Sequence, residues 1–241
     1  MTARSVVLSV LLGAHPARAT AAELLRLTDG FGIRETTLRV ALTRMVAAGD
    51  LVRSADGYRL SDRLLARQRR QDEALDPRTR PWDGTWITLV VTAVGLAAPA
   101  RAAFRKELQD LRFAELREGV WLRPDNLCLE LPGPVRDRVR VLRSHDDNPS
   151  ELAGRLWDVS AWSRTGHRLL REMADAEDVP ARFGVAAAMV RHLLTDPVLP
   201  AELLGADWPG MQIRAAYADF VAEMSARRDA ALLTGIAGGL R

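Results

Sequence analysis

Residues 33–61 read IRETTLRVALTRMVAAGDLVRSADGYRLS, and the order of signals in this stretch decides the fold. Leu38, Ala41, Leu42, Met45 and Val46 recur at helical spacing and form one apolar face, which predicts packing on the helices before it. Opposite them stand Arg34, Thr36, Thr37, Arg39, Val40, Thr43 and Arg44: short hydroxyls, one valine and three guanidiniums. Such a surface suits the DNA major groove, where Arg bonds guanine N7 and O6, Thr bonds bases or phosphates, and an apolar group touches the thymine methyl. Taken alone, the helix is also explained as a surface helix with incidental arginines. The residues that follow argue for DNA. After the helix stop at Gly49, Leu51-Val52-Arg53 and Tyr58-Arg59-Leu60 bracket Ser54-Ala55-Asp56-Gly57, which predicts two short strands around an Asp-Gly hairpin. A hairpin directly after such a helix is a wing. Arg53 and Arg59 flank its tip, placed to hold phosphate or enter the minor groove, and so to set affinity and register more than sequence preference.

Upstream, residues 4–13 predict an apolar helix ended by Gly13 and the loop His15-Pro16. Thr20 and Glu23 form a capping box that opens a second helix, which stops at Asp29-Gly30, with Gly32 a second permissive position. Two helices joined by a short Gly-containing turn make a helix-turn-helix. Arg4, the apolar run 6–12 and Ala17-Arg18-Ala19 imitate a short signal peptide, but an apolar core of about seven residues is near the lower limit for one. The same segment is needed as the first helix of the DNA-binding unit.

The chain has 241 residues, 48% of them hydrophobic and 27% charged, which is an ordinary globular composition. A single cysteine, Cys128, makes no internal disulfide, so a reducing, cytoplasmic compartment is expected. The longest apolar stretch, residues 86–98, contains Thr88 and Thr92 and falls short of the ~20 residues a membrane span needs. Charge is unevenly placed: residues 1–70 carry twelve Arg against six acids, net +6, and the rest is net −3. A polyanion partner for the first third follows, although a solvated charged face carries the same charge. Lys106 is the only lysine; all other basic residues are Arg, whose planar fork suits phosphates and guanine edges. Arg63, Arg67, Arg69 and Arg70 continue beyond the wing, either as a solvated face or as backbone contacts.

Residues 38–61, with WDGTW (82–86), FRKELQDLRFAEL (104–116), GVWLRP (119–124), LWDVSAW (156–162) and DPVLPAELLGADWPG (196–210), resemble the PaaX-like family, the phenylacetic-acid degradation repressors of bacteria. Leu204-Gly205 departs from the Leu-Pro expected there. The resemblance implies an α+β multidomain chain: a winged helix-turn-helix, residues 1–62; a helical linker, 63–82; a ferredoxin-like (Cas2-like) dimerisation domain, 83–147; and a C-terminal helical domain, 148–241. It also implies a homodimer on a palindromic double-stranded DNA operator and release by an aryl acyl-CoA effector such as phenylacetyl-CoA.

The residues of the centre agree. A Val/Ile/Thr-rich strand over 85–94, a helix from Pro99 bearing Phe104, Leu108 and Leu111, and two short strands broken near Gly119 come first. A helix or loop near 134–139 and a strand near Val141 complete a β-α-β-β-α-β unit. A Cas2-like nuclease would carry an acidic residue at the end of its first strand, where this chain has Val91-Thr92-Ala93-Val94. His145-Asp146-Asp147 reads as loop, and the other histidines are isolated. No P-loop, H-E-x-x-H, G-x-S-x-G or G-x-G-x-x-G occurs, so no catalytic residue, metal or cofactor is expected. In the last third, Ser150 reads as the cap of a helix bearing Leu152, Leu156 and Val159. Pro180 precedes a helix carrying Phe183, Met189, Val190, Leu193 and Leu194, and Ile213, Tyr217, Phe220 and Met224 stripe the last. The six Trp read as core, with an aromatic effector pocket as the alternative.

The expected function is a dimeric, cytoplasmic, non-enzymatic repressor of a phenylacetate-type catabolic operon, with no membrane association. A regulator of the same architecture serving another pathway, such as secondary metabolism, with a different effector or none, stands beside it. A metal-dependent Cas2-like nuclease is the third reading.

Overall fold

The computed structural model describes residues 2–238, with side chains at all of them except Asp29 and 227–238; residues 1 and 239–241, the outer ends of the terminal domains expected above, lie outside it. The chain forms two compact units, residues 1–75 with 166–194 and 210–241, and residues 76–165 with 195–209. Division by contact therefore departs from the linear domain order: residues 63–75 belong to the first unit, and the C-terminal third is shared out between the two.

In the first unit α1 (Ala3–Leu12) starts at a capping box in which the Thr2 and Ser5 side chains each accept from the other's backbone N–H. The second box forms as the sequence predicts: the Thr20 hydroxyl accepts from Glu23 N–H at 3.1 Å, and the Glu23 carboxylate accepts from Thr20 N–H at 2.7 Å, opening α2 (Ala21–Asp29). Helix α3 spans Glu35–Ala47, with Arg34 at the N-cap. The wing strands are β2 (Leu51–Ser54) and β3 (Gly57–Leu60), joined at Ala55-Asp56. A third strand, β1 (Arg18–Ala19), pairs antiparallel with β3 and gives the order β1-β3-β2. Two residues are too few for an alternation to show in sequence.

Val7, Leu11, Leu24, Leu38, Leu42, Met45, Leu51, Leu60 and Leu64 close one apolar core, each such side chain contributing roughly 1.5–3 kcal/mol. Leu64 belongs to α4 (Asp62–Leu75), so the segment expected as a linker starts inside this core. Further along α4 the buried Gln68 amide donates to the carbonyls of Leu12 at 3.0 Å and Ala14 at 2.9 Å, satisfying acceptors that the end of α1 leaves open. Helices α9 (Val179–Leu193) and α10 (Gly210–Gly238) pack together, buried Phe183 meeting buried Phe220, and Arg214 Nε donates to the Ala74 carbonyl of α4 at 3.1 Å. Val159, expected on the same helix as Leu152 and Leu156, instead opens a separate helix, α8 (Val159–Asp175).

The second unit has the β-α-β-β-α-β order: β4 (Trp86–Val91), α5 (Ala98–Asp110), β5 (Ala114–Arg117), β6 (Val120–Pro124), α6 (Gly133–Arg136) and β7 (Val139–Ser144). Its sheet is ordered β5-β6-β4-β7 and antiparallel throughout, a ferredoxin-like arrangement. β4 stops at Val91 rather than Val94, because its partner strands run out there: Val91 N–H donates to Gly119 and Thr92 N–H to Arg138. One sheet face, with Leu89, Trp121 and Val139, packs on Phe104 and Leu108 of α5 and Val135 of α6. The other, with Trp86 and Leu122, packs on Leu152 and Ala153 of α7 (Pro149–Leu156) and on Leu199 and Leu203. Ser150 lies inside α7 rather than capping it; Asn148 is the N-cap and Pro149 fills the first turn, where its missing N–H costs nothing.

Candidate nucleic-acid interface

Helix α3 separates its faces as its pattern predicts. Leu38, Leu42 and Met45 are buried, and Arg34, Thr36, Thr37, Arg39, Val40, Thr43 and Arg44 are all exposed, with Val40 at 50%. Two of these side chains are held locally. Arg39 donates from Nε (2.8 Å) and Nη2 (2.6 Å) to one Glu35 carboxylate oxygen, and the Thr43 hydroxyl donates to the Arg39 carbonyl at 3.0 Å. An exposed i,i+4 ion pair is worth only ~0.3–0.5 kcal/mol, so Arg39 is pre-oriented yet easily exchanged to another acceptor. Thr36, Thr37, Val40 and Arg44 border an open, largely apolar groove of about 590 Å³ whose far side is Thr2, Ala3 and Arg4 at the start of α1.

Below the wing sits a charge clamp. Asp50, 2% exposed, accepts from Arg4 Nη2 at 2.9 Å and from Arg63 Nη2 at 2.6 Å. Two arginines counted in the positive first third are thereby committed to an internal partner, tying α1, the foot of the wing and α4 together.

The register of the wing corrects one part of the sequence reading. Arg53 pairs with Tyr58, and Arg59 with Val52 and Arg18, so Arg53 and Arg59 point from opposite faces of the sheet instead of acting as a pair at the tip. Arg53 lies on the Leu51/Leu60 face, whereas Arg18, Val52 and Arg59 share the outer face. Arg59 is also within 3.7 Å of Asp62. Arg18 escaped the sequence reading because only the long-range pairing of β1 brings it beside Arg59. Gly57, at φ +118°, allows this close approach, since a Cβ there would lie 2.5 Å from the Ala19 carbonyl oxygen.

In the second unit Trp86, Trp121 and Trp162 are buried, as the core reading of the tryptophans expects, and Trp157 and Trp162 line a shallow cleft of about 290 Å³. Arg123 is buried over the Phe113 ring at 5.0 Å, and burial pulls its pKa down to about 10. Asp125 accepts from Arg80 and lies 3.5 Å from Arg143 Nε. Among the described residues no group of three or more His, Cys, Asp or Glu could hold a metal, and no helix is long and apolar enough to cross a membrane. His145-Asp146-Asp147 is loop.

A winged helix-turn-helix on the same chain as a ferredoxin-like sheet defines a class of multidomain α+β protein. Family models place this chain within it: "PaaX-like protein" matches residues 2–64, "PaaX protein central Cas2-like domain" residues 79–144, and "PaaX-like protein C-terminal domain" residues 159–233. The chain belongs to the PaaX-like family. It is 28% identical over 221 residues to the transcriptional repressor PaaX of Escherichia coli (strain K12), covering 79% of this chain and 69% of that one. A solved structure, the uncharacterized protein Rv0674 from Mycobacterium tuberculosis, is 69% identical with a TM-score of 0.84, covering 95% of this chain and 98% of that one.

Proposed function

We propose that this chain is a DNA-binding transcriptional repressor, dimeric on a palindromic operator, acting on a phenylacetate-type catabolic operon and released by an aryl acyl-CoA. The carrying observation is the exposed Arg/Thr/Val face of α3, backed by a buried apolar face and flanked by an arginine-bearing wing. The repressor name of the Escherichia coli relative supports it. Arg34, Thr36, Thr37, Arg39, Val40, Thr43 and Arg44 read bases, and Arg53, Arg59 and Arg18 hold phosphates. Exposed Val141 (41%) and Leu142 (47%) on the edge strand β7 support a second copy as partner of the central unit. An effector preferring the DNA-incompetent state by ~1–3 kcal/mol weakens operator binding about 5–150-fold.

Gel shifts of the protein's own promoter, with and without a panel of acyl-CoA thioesters, test this reading. A retarded band released by phenylacetyl-CoA is expected. No shift at low salt sinks the repressor, and release by a different thioester or by none moves the protein to another pathway. Cleavage of the probe with Mg²⁺ or Mn²⁺ would make it a nuclease instead.

Two classes of substitution separate the roles. Arg39→Ala and Thr43→Ala should cost ~1–3 kcal/mol on the operator and little on random duplex. Arg18→Ala, Arg53→Ala and Arg59→Ala should weaken both alike and lower the salt slope by about one unit per lost phosphate contact. Equal losses in the two classes would show that the face assignment is wrong.

A further inference from the structure

We propose that Phe31, in the turn between α2 and α3, positions the reading helix by docking on the C-terminal helices α9 and α10, which thereby set how α3 meets DNA; this rests on the DNA-reading role assigned to α3 above.

The start of α3 is weakly fixed by its own sequence. Arg34 occupies the N-cap without a side-chain hydrogen bond, so the capping that orients α1 and α2 is missing at the helix where orientation matters most. The turn carries Gly30 and Gly32, the latter at φ +64°; its backbone bonds back only to the end of α2, through Gly30 and Phe31 N–H to the Thr28 carbonyl, and the side on which a Cβ at either glycine would lie is open for 4 Å. Its two large side chains do the holding. Ile33 turns onto the winged-helix core. Phe31 turns the other way, edge-on to Phe183 of α9, with ring centroids 5.0 Å apart at 75°.

Phe183 does not stand alone. It is buried and meets Phe220 of α10 edge-on at 6.1 Å, and Phe220 meets Tyr217 at 6.5 Å. Gln71 of α4 lies against the Tyr217 phenol. The two C-terminal helices are locked to each other beside this row, where Arg182 Nη2 donates to the Glu223 carboxylate at 3.0 Å, and Asp178 caps α9 by accepting from Ala181 N–H at 2.7 Å. A continuous line of rings thus runs from the helix-turn-helix turn through α9 to α10. Aromatic edge-to-face contacts have a preferred geometry, and packed interiors shift between discrete arrangements instead of deforming smoothly. Displacement of α9 or α10 therefore moves the turn, and with it Arg34, Thr36 and Thr37 at the head of the reading face. Hydrogen bonds to base edges weaken steeply with misalignment, whereas phosphate attraction does not. The predicted signature is lost discrimination at nearly unchanged non-specific affinity.

The test uses the full-length protein. Operators are selected from a random duplex pool with the wild type, and binding to the selected operator and to random duplex is measured for Phe31→Ala, Phe183→Ala, the double variant, Phe31→Leu and Phe183→Leu. Amide exchange over residues 33–40 is followed in the free proteins. Each alanine variant should lose about tenfold or more on the operator with random-duplex affinity within about twofold, and the double should lose no more than the worse single. The leucine variants, which keep the fold if the alanines do not, should recover most of the loss, and Phe183→Ala should speed exchange at the head of α3. Wild-type operator affinity in the alanine variants, equal loss on both DNAs, or full additivity overturns the proposal. If the wild type selects no sequence while Phe183→Ala still speeds exchange in α3, the DNA reading falls and the anchor stands.

Discussion

Leu42→Ala is expected to destabilise the first unit by ~2–5 kcal/mol, the usual cost of truncating a leucine that lies fully inside a packed core. Leu42 is 2% exposed and shares its core with Leu11, Leu24, Leu38 and Met45, side chains from three different helices. The vacated volume is lined by apolar groups, which offer water no hydrogen bonds, so the cavity stays largely uncompensated. Against a typical total of ~5–15 kcal/mol, that loss removes a large share of the stability. Urea denaturation of the variant measures it. The neighbouring Thr43→Ala serves as the control, since that side chain faces outward and its change should move stability by no more than ~0.5 kcal/mol while weakening the operator complex. One helix cannot bury Leu42 without exposing Val40, Thr43 and Arg44. A loss below ~1 kcal/mol at Leu42 would therefore undo the reading face together with the core.

Gly57→Val should be comparably severe, through the backbone. The residue sits at φ +118°, a conformation closed to β-branched side chains and worth ~1–3 kcal/mol of strain when forced. The added Cβ would also lie 2.5 Å from the Ala19 carbonyl oxygen and 2.8 Å from Thr20 Cα. Both neighbours are main chain at the β1–α2 junction, so neither can swing aside as a flexible side chain could. Relief requires β1 to part from β3, which separates Arg18 from Arg59. The expected result is a combined cost of about 3 kcal/mol or more, with operator and random duplex binding weakened together. A variant that keeps wild-type affinity for both would show that the outer face of the wing has no part in holding DNA.

The candidate site divides along the same line. The α3 face was legible because it follows from helical period alone: the residues that must be buried define those that cannot be. The wing was legible as a hairpin from its Asp-Gly turn, but the partition of its arginines was not. Whether Arg53 and Arg59 share a face depends on register, and the decisive pairing, Arg18 opposite Arg59, joins residues 41 apart in sequence. Charge misled in a similar way. Arg4 and Arg63 read as part of a basic surface, yet Asp50 holds both, an arrangement that no local pattern announces.

What the chain determines by itself is the set of features whose interactions close within about four residues. These are the two capping boxes, the apolar and polar faces of α3, the turn at Gly57 and the β-branched run of β4. They depend on backbone geometry and side-chain size at neighbouring positions, which are written in order along the sequence. The tertiary structure alone decided that α4 begins in the winged-helix core, that Gln68 closes the end of α1, that α7 covers the second face of the central sheet, and that Phe31 meets Phe183. Each of these joins residues far apart along the chain. Burial rewards any apolar surface that reaches any other, so a hydrophobic stripe states that it needs a partner without saying which one.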